Sequence, residues 1–190
     1  SCGLCVKICP EGAILESERE VGYLEHGTTT TGIDFVHGVL NIGEPMAGPI
    51  IQQVKGFYKA DCIKIIDAPP GTSCPVVKTI IDVDFVIMVT EPTPFGLHDL
   101  KIAVSVAKNL NKLIGVVINR DREKEDFKPL MEFLDKNEIP ILMKLPEDVE
   151  IAKTYSKGEI IIEALTGYKK NFLELSKNIG RLLGLRECEK

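Results

Sequence analysis

Two stretches of the chain hold residues whose types and spacing suit chemistry. In IIDAPPGTSCP, Ile65 to Pro75, a β-branched run ends on Asp67 and breaks into a turn through Pro69, Pro70, Gly71 and Thr72. An acid at the carboxyl end of a buried strand holds a magnesium ion through water, and a Pro-Gly bend presents backbone N–H groups to a terminal phosphate. The competing reading of Asp67 is a strand-end acid that caps a turn, as in any α/β protein. The PPGT that follows shifts the balance toward phosphate chemistry, with Thr72 a cap for the next helix and Cys74 a structural residue. At the N-terminus, Cys2, Cys5 and Cys9 precede Pro10 in the pattern CxxCxxxCP. One loop with this compact spacing wraps three corners of an iron–sulfur cluster; the alternatives are a zinc site or three unrelated thiols.

Three later segments carry weaker signals. EPTPFGLHDL, Glu91 to Leu100, fixes an extended connection with two prolines before a helix, and His98 and Asp99 are expected in that helix's first turn. His98 as a base competes with plain surface packing, which is the stronger reading. Asn119, at the end of LIGVVIN, carries an amide able to read a purine edge through paired donor and acceptor contacts, or simply to form a turn. In LPEDVEIA, Pro146 and Asp148 follow an expected strand, and Glu147 with Asp148 suits the start of a helix without any ligand.

The elements that must position these residues follow from periodicity. Cys62 to Asp67, Asp84 to Thr90, Leu113 to Asn119 and Ile139 to Leu145 are short and apolar or β-branched, and are expected as strands buried on both faces. Leu97, Leu100, Val104, Ala107 and Leu110 recur at helical spacing, as do Phe127, Leu130, Met131 and Leu134. A last helix runs through Phe172, Leu175, Ile179 and Leu182 and stops near Gly184. Such alternation predicts an α/β fold with a mostly parallel sheet covered by helices on both faces. Ligands of such folds bind beyond the carboxyl ends of the strands, so Asp67, Thr90 with Glu91, and Asn119 are expected on one rim. Before Met46 the pattern is different: Val21 to Glu25 and Asp34 to Ile42 read as short strands around a solvated Thr28 to Thr31 turn. The expected division is 1–45, a cysteine segment with a hairpin, and 46–190, the α/β domain.

Composition sets the bounds. With 190 residues and 44% hydrophobic content the chain is long enough to bury a substantial core. Its 23 basic and 28 acidic residues give a formal charge of −5, which offers no general attraction to nucleic acid or anionic membrane. No apolar run approaches the roughly 20 residues that span a bilayer, and no secretory signal pattern opens the chain, so a cytoplasmic location is expected. Six cysteines in that setting favour metal ligation or free thiols over disulfides, with Cys62 read as a small core residue.

Taken together, CxxCxxxCP, GEPMAGPII, DAPPGTSCP, VTEPTPFGLHDL, VVINR and LPEDVEIAKTYSKG resemble, in order and over nearly the whole chain, the MinD-superfamily P-loop ATPases that carry an inserted ferredoxin domain. The resemblance implies Asp67 as the switch II acid supporting Mg2+, with Gly71 near the γ-phosphate and Pro70 and Thr72 beside it. It implies Asn119 as the residue that recognises adenine, and Pro146 with Asp148 as the loop closing over the nucleoside. Cys2, Cys5 and Cys9 match ligands of [4Fe-4S] clusters, although the first cysteine of the ferredoxin pattern would lie ahead of Ser1. No glycine-rich loop with a lysine occurs in the sequence, so the chain is expected to be a C-terminal fragment that does not hydrolyse ATP efficiently alone. The whole protein is expected to be a homodimeric, ATP-binding iron–sulfur protein, coupling ATP to electron transfer or cluster handling with a redox or iron–sulfur partner. The alternatives are a non-hydrolytic electron carrier and a nucleotide-sensing regulatory module.

Overall fold

The computed structural model describes residues 3–57, 62–122 and 127–185. The chain divides into two compact units, Ser1–Ile65 and Ile66–Lys190.

In the first unit a short helix, α1 (Leu4–Ile8), precedes an antiparallel hairpin of β1 (Gly22–Thr28) and β2 (Asp34–Leu40), followed by α2 (Gly48–Gly56). The turn at the tip is built by its threonines. Ile33 N–H donates to Thr29 Oγ1 at 2.9 Å, Thr29 N–H to the Ile33 carbonyl at 2.8 Å, and Thr28 Oγ1 to Asp34 Oδ1 at 2.8 Å. Ile50 of α2 is buried against one face of the hairpin, where Gly38 leaves no side chain in its way: a Cβ there would overlap the Ile50 side chain. Because α2 closes over the hairpin, the first compact unit runs to Ile65, beyond the division expected near residue 45.

The second unit is the α/β layer structure. After α3 (Cys74–Ile80) come β3 (Phe85–Thr90), α4 (Pro94–Asn109), β4 (Leu113–Asp121), α5 (Lys128–Lys136) and β5 (Ile141–Pro146). Then follow α6 (Val149–Ser156), α7 (Ile161–Ala164), a 3-10 turn at Thr166–Tyr168, and α8 (Lys169–Leu182). The three strands form one parallel sheet in the order β3-β4-β5. The expected helical stripe of α4 is the buried one, with Leu97, Leu100, Val104 and Ala107 packed on Met88, Val116 and Ile118 together with Leu130 and Leu134 of α5. Thr93 starts α4 by accepting the Gly96 N–H at 3.0 Å, and the buried Thr90 hydroxyl donates to the Gly96 carbonyl at 3.0 Å. These bonds make EPTPFG a rigid strand-to-helix connection. Among the described residues no helix is long and apolar enough to cross a membrane.

Five expectations are corrected. Cys62 to Asp67 is not a strand: residues 63–69 have no regular structure, with Ile63 and Ile65 89% and 94% exposed. A β-branched run becomes a strand only where a neighbour takes its N–H and C=O groups, and the sheet holds β3, β4 and β5 alone among the described residues. For the same reason Cys62 is exposed instead of buried in a core. Burial on both faces holds for Gly115 to Ile118 of the central strand and fails for β3, an edge strand whose Ile87 and Val89 stay exposed. Ser73, not Thr72, stands before α3, and α4 begins at Pro94, which places exposed His98 and Asp99 in its second turn.

Two changes test this packing. Leu134→Ala removes a side chain only 1% exposed and should cost about 2–5 kcal/mol in denaturant unfolding. Glu138 ends α5 with φ 55, a left-handed conformation that favours glycine. Glu138→Gly should therefore raise stability by about 0.5–1 kcal/mol.

Candidate functional site

The carboxyl rim of the parallel sheet is shaped by one extra residue in β4. Ile118 pairs with Lys144 of β5, and the next pairing is Asp121 with Pro146, so β4 spends three steps where β5 spends two. The surplus at Asn119 and Arg120 is a β-bulge that offsets an opposite shift between Val116 and Val117, where β5 takes two steps to one, and it re-aims the side chains at the end of β4. Arg120 takes it up with φ 53, a conformation that costs a non-glycine residue about 1–2 kcal/mol. Asn119 Oδ1 accepts the Arg120 N–H at 3.1 Å across the bulge, the turn-forming role of an asparagine.

Around this bulge the strand ends are tied side to side. Arg120 Nη1 lies 3.3 Å from Glu91 Oε1 at the end of β3. Arg122 Nε donates to Glu147 Oε2 at 2.6 Å, and Glu147 N–H donates to the Asp121 carbonyl at 3.1 Å. Hydrogen bonding by Arg122, assisted by the charges of Arg122 and Arg120, holds the Glu147 carboxyl below the usual range. Asp148 is the N-cap of α6, its Oδ1 accepting the Glu150 N–H at 2.8 Å, while its Oδ2 accepts the Tyr168 O–H at 2.7 Å. The Tyr168 bond leads, with Glu150 N–H and the Lys153 charge behind it, in holding Asp148 below its ordinary value. Bonding to that carboxylate, together with burial, pushes the phenol up to about 12.

The rim thus brings together Glu91, Asn119, Pro146 and Asp148 among the residues singled out from sequence. Asp67 is exposed in the irregular segment, and no ion pair or hydrogen bond joins it to the rim among the described residues. Pro70, Gly71 and Thr72 form the bend ahead of α3, and Gly71 has φ +89, which requires a residue without a Cβ. Arg120, Arg122 and Tyr168 were not anticipated as site residues. The RDR following VVIN was a visible signal for the two arginines; Tyr168, far along the chain from Asp148, had none.

In the first unit, Cys5 is exposed within α1 and Cys9 closes that helix, while Cys2 lies outside the described residues. The backbone N–H of Ala13, then those of Glu11, Gly12 and Ile14, hydrogen-bond the Cys9 sulfur and lower its pKa against a smaller opposing effect of burial. That environment favours a thiolate. Two thiols do not make the ligand set of a cubane, which takes four, and no cluster of three or more metal-ligating side chains forms among the described residues.

No protein-family model matches the chain. Two uncharacterized proteins of Methanocaldococcus jannaschii are similar to it. MJ0579 is 32% identical over 154 residues, 80% of this chain and 49% of that protein. MJ0578 is 40% identical over 85 residues, 43% of this chain and 30% of that protein. The chain therefore spans half or less of the length of these relatives. Among solved structures, the cell division ATPase MinD of Pyrococcus furiosus superposes with a TM-score of 0.55 at 25% identity, over 71% of this chain and 57% of that one. The septum site-determining protein MinD of Pyrococcus horikoshii, solved with Mg-ADP, gives 0.55 at 24% identity, over 72% and 56%. The MinD cell division protein of Aquifex aeolicus gives 0.59 at 16% identity, over 87% and 70%. The parallel three-stranded sheet with its connecting helices is thus an α/β fold shared with the MinD-type P-loop ATPases.

Proposed function

We propose that the α/β unit is a nucleotide-binding domain that takes an adenine nucleotide with Mg2+ at the carboxyl rim of its sheet. One observation carries this reading: the bulge sets Asn119 on the same strand ends as Pro146 and Asp148, where ligands of open parallel α/β sheets bind. The likeness in fold to a MinD protein solved with Mg-ADP supports the same choice of ligand. In this reading Asn119 reads the base, and Pro146 with Asp148 frames the nucleoside. Gly71 and Thr72 turn backbone N–H groups toward the phosphates in a bend that Pro70 fixes, a role to which the left-handed Gly71 is suited. Asp67 supports the magnesium ion through water, and the ion would supply charge neutralisation on the phosphates.

Hydrolysis is a property proposed for the whole protein, because the lysine-bearing glycine-rich loop that stabilises charge on the β- and γ-phosphates is not in these residues. There water would attack the γ-phosphorus in line and ADP would leave as the bond to the bridging oxygen breaks, in a homodimer of the cytoplasm. The proposal extends to Cys2, Cys5 and Cys9 as ligands of [4Fe-4S] clusters completed by further cysteines, with a redox or iron–sulfur protein as partner. The support in this chain is the CxxCxxxCP spacing of Cys2, Cys5, Cys9 and Pro10. A non-hydrolytic electron carrier and a nucleotide-sensing module remain the alternatives.

Three measurements check the parts separately. Asn119→Ala should weaken Mg-ADP binding about tenfold, the loss of roughly one or two hydrogen bonds to the base, and unchanged affinity would return Asn119 to a turn residue. In the whole protein, Asp67→Ala should lower Mg2+-dependent ATP hydrolysis at least about tenfold without shifting the melting temperature. Equal turnover would show that Asp67 is only a turn acid. Anaerobic reconstitution of the whole protein followed by iron counting should find bound iron and the broad visible absorption of a cubane; a colourless, iron-free product would remove the iron–sulfur part of the proposal.

A further inference from the structure

The loop that follows β5 is held from three sides. Its Glu147 is tied to β4 through the Asp121 carbonyl and through Arg122. Its Asp148 is tied forward to α6 through Glu150 N–H. The third tie comes from the start of α8. Tyr168, half-buried in the 3-10 turn that leads into that helix, donates its O–H to Asp148 Oδ2 at 2.7 Å. The same helix is fastened to β5 itself, where Asn178 Nδ2 donates to the Leu142 carbonyl at 3.1 Å. A closed circuit results: β5 leads into the loop, the loop is bonded to Tyr168, and α8 carries the connection back to β5. With one oxygen taken by Glu150 N–H and the other by Tyr168, the Asp148 carboxylate works as a strut within the loop.

We propose that Tyr168 is a positioning residue for the nucleoside: through Asp148 it fixes the 146–148 loop and thereby raises the affinity for adenine nucleotide. This rests on the nucleotide reading of the rim. The physical argument is preorganisation. A loop already locked by a bond between two half-buried side chains has less freedom to lose when the base arrives, so the stabilisation appears in base affinity. Removing one hydroxyl frees the loop without removing any group that touches the phosphates.

The bond also gives a readout that packing alone would not move. Asp148 faces the Tyr168 hydroxyl, the Glu150 N–H and the charge of Lys153, which is itself paired with Glu150 at 2.7 Å. Its folded pKa lies below its ordinary 3.8, so the brace is complete above that value and is lost as pH falls through the depressed pKa. Without the phenol the pKa rises, and the loss moves to higher pH.

Tyr168→Phe keeps the ring and deletes a single oxygen. Binding of ADP with Mg2+ is measured by calorimetry on wild type and variant, together with thermal melting and the pH dependence of that binding. The expected result is an ADP affinity lowered about three- to tenfold, an acid limb shifted to higher pH, and a melting temperature close to wild type. If wild type binds ADP and the variant binds it equally well, Tyr168 does not position the loop, and the nucleotide reading stands without it. A loss of ADP affinity that comes with a lowered melting temperature and an unshifted acid limb makes Tyr168 a packing residue and overturns the inference. Wild-type protein that fails to bind ADP overturns the nucleotide reading, and the inference falls with it.

Discussion

Between Ile118 and Asp121, β4 holds one residue more than β5 can pair, and the arrangement of the rim follows from where that residue goes. A regular ladder would alternate Asn119 and Arg120 across the two faces of the sheet and carry them into its buried layers. The bulge breaks this alternation at the last turn before the strand ends. It leaves Asn119 half-buried and Arg120 exposed, with the backbone of Arg120 in a left-handed conformation. Such strain persists only where surrounding structure over-determines it. Here the surroundings are the buried side chains of Val116, Val117 and Ile118 on one side and the Asp121–Pro146 pairing on the other.

Downstream of that constraint, each strand end is joined to the next by a polar tie. Glu91 and Arg120 link β3 to β4, and Arg122 with Glu147 links β4 to the loop after β5. Exposed pairs of this kind contribute little to stability. Their effect is positional, since they hold three strand ends and one loop in register at the edge where a ligand would sit. The buried layer formed by α4, α5 and the strands supplies the stability and leaves the rim free to be polar.

Much of this second unit was legible because its signals are periodic. The Leu97, Leu100, Val104 and Ala107 stripe can be buried in only one way on a helix, and the apolar run of β4 can sit only inside a covered sheet. What escaped the sequence depends on partners. Cys62 to Asp67 has the composition of a strand, but composition does not provide the neighbour whose backbone completes a ladder. The bulge was invisible as well, because it arises from the mismatch between two strands and not from either one. Tyr168 meets Asp148 only because the chain returns to that loop after α6 and α7, a tertiary fact that local pattern cannot carry. Asn119, Pro146 and Asp148 were found because their residue types mark strand ends and helix starts. Their proximity, however, had to come from the fold.

The central claim is that the bulged rim is where nucleotide binds, and the most direct measurement is residue-resolved chemical-shift mapping of backbone amides as Mg-ADP is added. The account predicts shifts concentrated at Asn119 to Arg122, at Glu147 and Asp148, and at Gly71 and Thr72, with the α4–α5 face unperturbed. Saturating Mg-ADP that leaves the Asn119 and Asp148 amides unmoved, or that shifts only residues away from the strand ends, would contradict it.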